Sequence, residues 1–162
     1  MMNRQELLQL IERNARVPAS ELAVMIGADE KTVSDELSKL CEENIILGYA
    51  AIINWDKTER ESVTAMIEIR ITPQRNKGFD QIARQLFRYP QVTSCYLMSG
   101  GFDLMLIIED STLREVASFI AEKVAPIDGV ISTSTHFILK KYKSNGIVFD
   151  VKSSDDRETV VL

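Results

Sequence analysis

"PASELAVMIGADEKTVSDELSKLCEE", residues 18–43, holds two apolar stripes separated by a glycine. Pro18 suits the first position of a helix, where its missing N–H would find no partner anyway. Leu22, Ala23 and Ile26 form the inward stripe of that helix. Gly27 ends it, because glycine adopts a positive φ without strain. Asp29 supplies an N-cap for a second helix. On it Val33, Leu37, Leu40 and Cys41 recur at i, i+4, i+7 and i+8 and are expected to face a core. Two helices crossing at a glycine turn, the second with a polar outer side, make a helix-turn-helix. That side offers Glu30, Lys31, Thr32, Ser34, Asp35 and Ser38. It can enter a DNA major groove, or it can be the solvated side of a three-helix packing module. The pattern leaves both open.

Charge sharpens the question. Residues 29–46 carry six acids and two lysines, and residues 1–60 hold seven Lys/Arg against eleven Asp/Glu, a local net of −4. The whole chain is at −5. A dedicated nonspecific DNA binder is usually basic, so composition opposes what geometry suggests.

On the N-terminal side, "NRQELLQLIERNAR" (3–16) places Leu7, Leu8, Leu10 and Ile11 on one helical stripe. On the other side, "IILGYAAIINW" (45–55) is rich in β-formers and reads as a short strand or wing. "DKTERES" (56–62) is polar and aperiodic, and reads as a linker. Beyond it the period changes. "VTAMIEIRI" (63–71) alternates strictly, with Val63, Ala65, Ile67, Ile69 and Ile71 on the face to be buried. A helix follows with Phe79, Ile82, Ala83, Leu86 and Phe87 inward, stopped by Pro90. "QVTSCYLMSGG" (91–101) and "FDLMLIIE" (102–109) read as two strands of a hairpin around Gly-Gly. A helix with Ser111 as N-cap and Leu113, Val116, Ala117, Ile120 and Val124 inward precedes a fourth strand, "GVISTSTHFILKKYK" (129–143).

The order β-α-β-β-α-β is the ferredoxin-like, ACT-like unit, with both helices on one sheet face and the other face bare. The fold class expected is therefore α+β. A helix-turn-helix domain spans 1–55, a linker 56–62 and a βαββαβ domain 63–143. An extension, 144–162, carries an Asn-Gly hairpin turn at Ser144, Asn145 and Gly146 and a loose tail. The bare face and Met66 favour a homo-oligomer.

With 162 residues, 45% apolar and 27% charged, the chain has enough apolar material for cores, and no apolar run approaches the ~20 residues of a membrane span. We expect a cytoplasmic protein without membrane contact. Cys41 and Cys95 are expected as buried thiols rather than a disulfide or metal pair. His136 is the only histidine, so no metal site and no cofactor are expected.

"MSGGFD" (98–103) can bind a zwitterion. Gly100 and Gly101 let backbone N–H groups approach a carboxylate, and Asp103 can pair with an amino group. On the residues alone a plain Gly-Gly hairpin whose Asp bonds its own turn is the favoured reading.

"ARVPASELAVMIGADEKTVSDELSKLCEENIILGYAAIIN" (15–54), "LMSGGFDLMLIIE" (97–109) and "DGVISTSTHFILKKYK" (128–143) together resemble the Lrp/AsnC, or feast/famine, family. The resemblance spans about residues 3–143 and lies in the order and spacing of the motifs. It implies a DNA-binding transcriptional regulator whose C-terminal domain binds a small effector, often an amino acid. Carried over, Thr32, Ser34, Asp35 and Ser38 would meet bases of double-stranded DNA, and Lys31 and Lys39 phosphates. The effector would sit between subunits of a dimer or octamer. Gly100, Gly101 and Asp103 would hold it, Met98, Phe102 and Leu104 would shape its pocket, and Thr133 and Thr135 would line it. Family members commonly carry arginines near the middle of the recognition helix, where this chain has Asp35 and Glu36. That departure implies modest affinity and strong salt dependence. It also motivates an alternative, a ligand-sensing oligomer that has lost DNA. A third reading is an enzyme similar to sirohaem decarboxylases, resting on His136 alone. The regulator, which is not an enzyme, is the leading expectation.

Overall fold

The computed structural model describes residues 3–72 and 78–149, and the chain divides into two compact units, Met1–Ile52 and Ile53–Leu162. Among the described residues no helix is long and apolar enough to cross a membrane.

The first unit is three helices: α1 (Arg4–Arg13), α2 (Ala19–Ile26) and α3 (Glu30–Glu42). Asn3 caps α1 by accepting from the backbone N–H groups of Gln5 and Glu6. Pro18 sits at the N-cap of α2, one position before the first helical residue, Ala19, where the sequence reading places Pro18 itself. Gly27 closes α2 at φ 66° and ψ 38°, and Ala28 N–H returns to the Ala23 carbonyl at 2.9 Å. This left-handed cap redirects the chain so that Asp29 can cap α3, accepting from Thr32 N–H at 2.9 Å. Leu7, Leu22, Ala23, Val33 and Leu40 form the core, with Leu8, Leu10, Ile11, Ile26 and Leu37 packed at its margin.

Two expectations change here. Cys41 is exposed, not buried. It lies at the margin of the α3 stripe, and a three-helix core covers only the Val33–Leu37–Leu40 line. The stretch 45–55 contains no strand. Among the described residues none of residues 47–53 makes a backbone–backbone hydrogen bond, so β-propensity there has no partner strand to act on. Leu47, Tyr49, Ile52 and Ile53 are left exposed.

The second unit opens with a 3-10 turn, Trp55–Lys57, which straddles the boundary between the stretch read as a strand or wing, 45–55, and the stretch read as linker, 56–62. Strands β1 (Val63–Ile71), β2 (Val92–Leu97), β3 (Leu104–Asp110) and β4 (Val130–Phe137) form an antiparallel sheet in the order β2-β3-β1-β4. Helices α4 (Phe79–Leu86) and α5 (Leu113–Phe119) fall between them in sequence, α5 running on through a π-helical turn, Ile120–Val124. Ala65, Ile67, Ile69, Ile71, Leu104, Leu106 and Ile108 of the sheet pack against Ile82 and Leu86 of α4 and Val116, Phe119 and Val124 of α5. The strict alternation of β1 thus buries the face that periodicity assigned to the core.

The helix faces are corrected in three places. Phe87 is exposed, because it caps α4 after the last helical residue. Leu113 and Ala117 are exposed and Phe119 is buried instead. A π-helical turn inserts an extra residue and slips the phase of the stripe, so straight 3.6-residue counting misassigns it. The N-cap of α5 is Thr112 rather than Ser111: its hydroxyl accepts from Glu115 N–H at 3.2 Å and donates to the Glu115 carboxylate at 2.9 Å. Thr-x-x-Glu is a capping box, a signal that stood in the sequence one residue further on.

Register places Met66, Glu68 and Arg70 of β1, Met105 and Ile107 of β3, Tyr96 of β2 and His136 of β4 on the face away from the helices. A hairpin of β5 (Lys143–Ser144) and β6 (Ile147–Val148) follows, with Asn145 and Gly146 both at positive φ, as a type I′ turn requires. The tail expected to be loose and the residue pair Asn76–Lys77 ahead of α4 lie outside the described residues.

Candidate functional site

All six side chains assigned to DNA, Lys31, Thr32, Ser34, Asp35, Ser38 and Lys39, are exposed on α3. Two hydroxyls are already engaged. Thr32 Oγ1 donates to Asp29, and Ser38 Oγ donates to the Ser34 carbonyl at 3.0 Å. Their acceptor lone pairs remain for a base or phosphate. Ser34 Oγ and the Asp35 carboxylate make no bond to another described residue.

The acids of α3 are not equivalent. Asp29 serves as the cap, and its hydrogen bonds from the Thr32 side chain and backbone hold its carboxyl below the usual value. Arg4 of α1 reaches across to α3 with its whole fork. Nε donates to Glu36, while Nη1 and Nη2 donate to the two oxygens of Glu43 at 2.9 and 3.0 Å. The guanidinium lowers the Glu43 carboxyl, and both carboxylates hold the arginine firmly protonated. Glu36 and Glu43 therefore carry their counter-charge with them. Among the described residues, Glu30, Asp35 and Glu42 of α3 have no ion-pair partner. Sequence reading missed Arg4, whose partners lie 32 and 39 residues away.

The effector residues fall into two groups. Loop 98–103 is pinned at both ends. Met98 N–H donates to the Asp103 carbonyl at 2.8 Å, and Asp103 N–H donates to the Ile69 carbonyl at 2.9 Å. Asp103 Oδ2 accepts from Ile71 N–H at 2.7 Å, so the carboxylate ties the loop to β1 rather than to its own turn. Between the pins, the N–H groups of Ser99, Gly100, Gly101 and Phe102 make no backbone–backbone bond among the described residues. Gly100 stands at φ 145°, a conformation that side chains disfavour. Met98 and Phe102 are half-buried, and Leu104 is 1% exposed, part of the core.

Thr133 and Thr135 lie elsewhere. They line a groove of about 360 Å³ with Phe137 and with Ala117, Ala121 and Ala125 of the facing helix. Leu104, Ile69 and Thr133 are paired in a row across three strands, so Thr133 is roughly 10 Å from the loop's end, beyond the buried Ile69. The small residues at 117, 121 and 125 are the signal that sequence reading left unused. Their spacing of four keeps one helix face low.

His136 projects from the face away from the helices, its Nε2 3.4 Å from both Glu68 Oε1 and Ser134 Oγ. Cys95 is half-buried, and burial pushes its thiol up.

Residues 3–46 match the profile of a winged helix-turn-helix DNA-binding domain, and residues 64–148 that of the Lrp/AsnC ligand binding domain. The chain belongs to the Lrp/AsnC family. Among its relatives in that family, the uncharacterized HTH-type transcriptional regulator YugG of Bacillus subtilis is 41% identical over 157 residues, 96% of this chain and 94% of the relative. Two solved structures of similar fold are a transcriptional regulator from Neisseria meningitidis and a feast or famine regulatory protein from M. tuberculosis, each in complex with L-methionine. The first is 20% identical, with TM-score 0.71 over 93% of this chain and 98% of that one. The second is 22% identical, with TM-score 0.70 over 86% and 92%. This Lrp/AsnC protein is thus a DNA-binding transcriptional regulator with a ligand-binding domain, and the α2–Gly27–α3 unit is its helix-turn-helix.

Proposed function

We propose that the ligand of this regulator is an amino acid, held where two subunits meet. The observation that carries the reading is loop 98–103, where four successive N–H groups between two pinned ends make no backbone–backbone bond among the described residues. Such a row of donors suits a carboxylate. Asp103, with one oxygen committed to Ile71, keeps the other for an ammonium group. The groove at Thr133 and Thr135, walled by alanines, offers room for an apolar side chain. In one chain the loop and the groove lie on opposite sides of Ile69, so bringing them to one ligand takes the loop of one subunit and the groove of another. The methionine held by two regulators of similar fold supports the same ligand class.

In this reading the protein is a homo-oligomer. Two features support that: the apolar residues on the sheet face away from the helices, and the unpaired, exposed residues 47–53. Ser34, Asp35, Thr32 and Ser38 read base edges, and Lys31 and Lys39 meet phosphates. Asp35 can accept from a cytosine amine. An amino acid shifts the assembly only by its differential affinity for the assembled states, and assembly sets the spacing of half-sites.

A thermal-shift series with the twenty amino acids tests it. A ligand at a hundred times its Kd stabilises by about 2.7 kcal/mol and raises the melting temperature by mass action. An absence of stabilisation by every amino acid at millimolar concentration would remove the proposal.

A further inference from the structure

Where the chain enters its second unit it closes a small cavity that the reading above does not use. Its volume is about 110 Å³. One wall is the segment with Asn54, Trp55 and Asp56, together with Thr64 of β1, and the other is the chain after β4, including Lys141. The Ile138 N–H bond to the Thr64 carbonyl, 2.9 Å, holds the second wall to the first strand. Arg60 stacks over the Trp55 ring at 4.5 Å and keeps the indole in place.

Asn54 Oδ1 is buried and has no hydrogen-bond partner among the described residues. An acceptor taken out of water and left unpaired is costly, so the site favours an occupant that donates to it. Asp56 stands on the same wall and Lys141 on the other, so an acidic and a basic residue flank the cavity on its two sides. Acceptors with an acid on one side and an ammonium group on the other complement a zwitterion. Size narrows the class. By the same measure this space, about 110 Å³, is less than a third of the groove at Thr133 and Thr135, about 360 Å³, so it suits the smallest members of that ligand class, glycine and alanine.

We propose that this cavity is a second ligand site, for a small α-amino acid, with the ammonium at Asn54 Oδ1 and Asp56 and the carboxylate at Lys141. The site differs in place and size from the groove on β4. Its position gives it a consequence. Ile53, on its wall, directly follows Ile52, the last residue of the DNA-binding unit. An occupant holds residues 54–56, at the start of the second unit, against the chain after β4.

Trp55 is the only tryptophan, so its fluorescence reports on this cavity. The full-length protein is titrated with glycine, L-alanine, acetate, methylamine and L-methionine. Glycine or alanine is expected to give a saturable change. Acetate and methylamine, each offering half of the zwitterion, should bind about tenfold more weakly or worse. Asn54→Leu, which removes the acceptor and fills the space, abolishes the response. Lys141→Gln, at the more accessible edge, weakens it while leaving the melting temperature unchanged. Stabilisation by methionine, where present, is the same in all three proteins, so the two sites stand or fall separately. A response to glycine and alanine that stays flat to tens of millimolar means a cavity holding solvent only and overturns the proposal. So does a Lys141→Gln variant that titrates like the parent.

Discussion

Replacing Asp35 with arginine tests whether the outward side of α3 meets DNA. Asp35 is exposed and makes no hydrogen bond or ion pair with a described residue, so the exchange removes nothing from the fold. A surface change of this kind stays within about 0.5 kcal/mol of the parent. Glu36 is not an equivalent choice: it is held by Arg4, and Glu36→Arg would press two cations together where α1 meets α3. On the duplex, each cation that neutralises a phosphate adds about 0.9 to the slope of log affinity against log salt. The Asp35→Arg slope should therefore be steeper by about 0.9. Over a fourfold change, from about 50 to about 200 mM salt, the variant loses about 3.5-fold more affinity than the parent. Fluorescence anisotropy on a labelled duplex from the gene's own upstream region measures the slope, with a scrambled duplex as control. If Asp35 reads a cytosine, the variant also loses about 1–3 kcal/mol of discrimination between the two duplexes. A parent and variant with identical slopes and identical melting temperatures would mean that this side of α3 never approaches the phosphates, and the assignment of all six residues would go with it.

Two further outcomes follow from the hydrogen bonds. Asp103→Ala strands the N–H of Ile71, a residue only 4% exposed, and should cost the second unit about 1–3 kcal/mol in denaturant unfolding, most of it recovered in Asp103→Asn. Asp29 and Glu43 have folded-state carboxyls below their ordinary values, so their contribution to the first unit is complete above the unfolded pKa and is lost as pH falls through the lowered folded one. Its urea midpoint should accordingly fall on acidification below about pH 5, and Asp29→Ala should flatten that dependence.

Much of this fold is legible in local pattern because its elements are locally determined. The strict alternation of Val63–Ile71 fixes which face of β1 is buried, and Gly27 followed by Asp29 fixes where α2 stops and α3 starts. The misassigned side chains have different causes. Cys41 lies on an apolar stripe, and periodicity reports that a stripe exists, not how wide a strip the rest of the chain covers, whereas Phe87 falls past the end of α4. Leu113 and Ala117 lose their place to the phase slip of the π-helical turn. Phe119 is the converse case, brought inward by a helix irregularity with no local signature.

The candidate sites were legible only where their chemistry is local. Loop 98–103 announces itself through two glycines and an acid. What each group is free to do depends on partners far away in sequence: Ile71 for Asp103, 32 residues off, and Arg4 for Glu43, 39 residues off. Counting charges along α3 therefore overstates its repulsion. Glu36 and Glu43 share one guanidinium that also ties the first helix to the third, and Asp29 spends its charge on the N–H and hydroxyl of Thr32, at a helix N-terminus whose dipole welcomes it. What the exposed side of α3 presents is Lys31 beside Glu30, then Ser34 and Asp35, then Ser38 and Lys39: nearly balanced charge, with hydroxyls between. A surface of that kind gives up nonspecific attraction, which every sequence receives alike, and leaves hydrogen bonding to base edges as the larger share of what it can offer. An acidic recognition helix is thus compatible with selective DNA binding, provided that linked copies supply the affinity each one lacks.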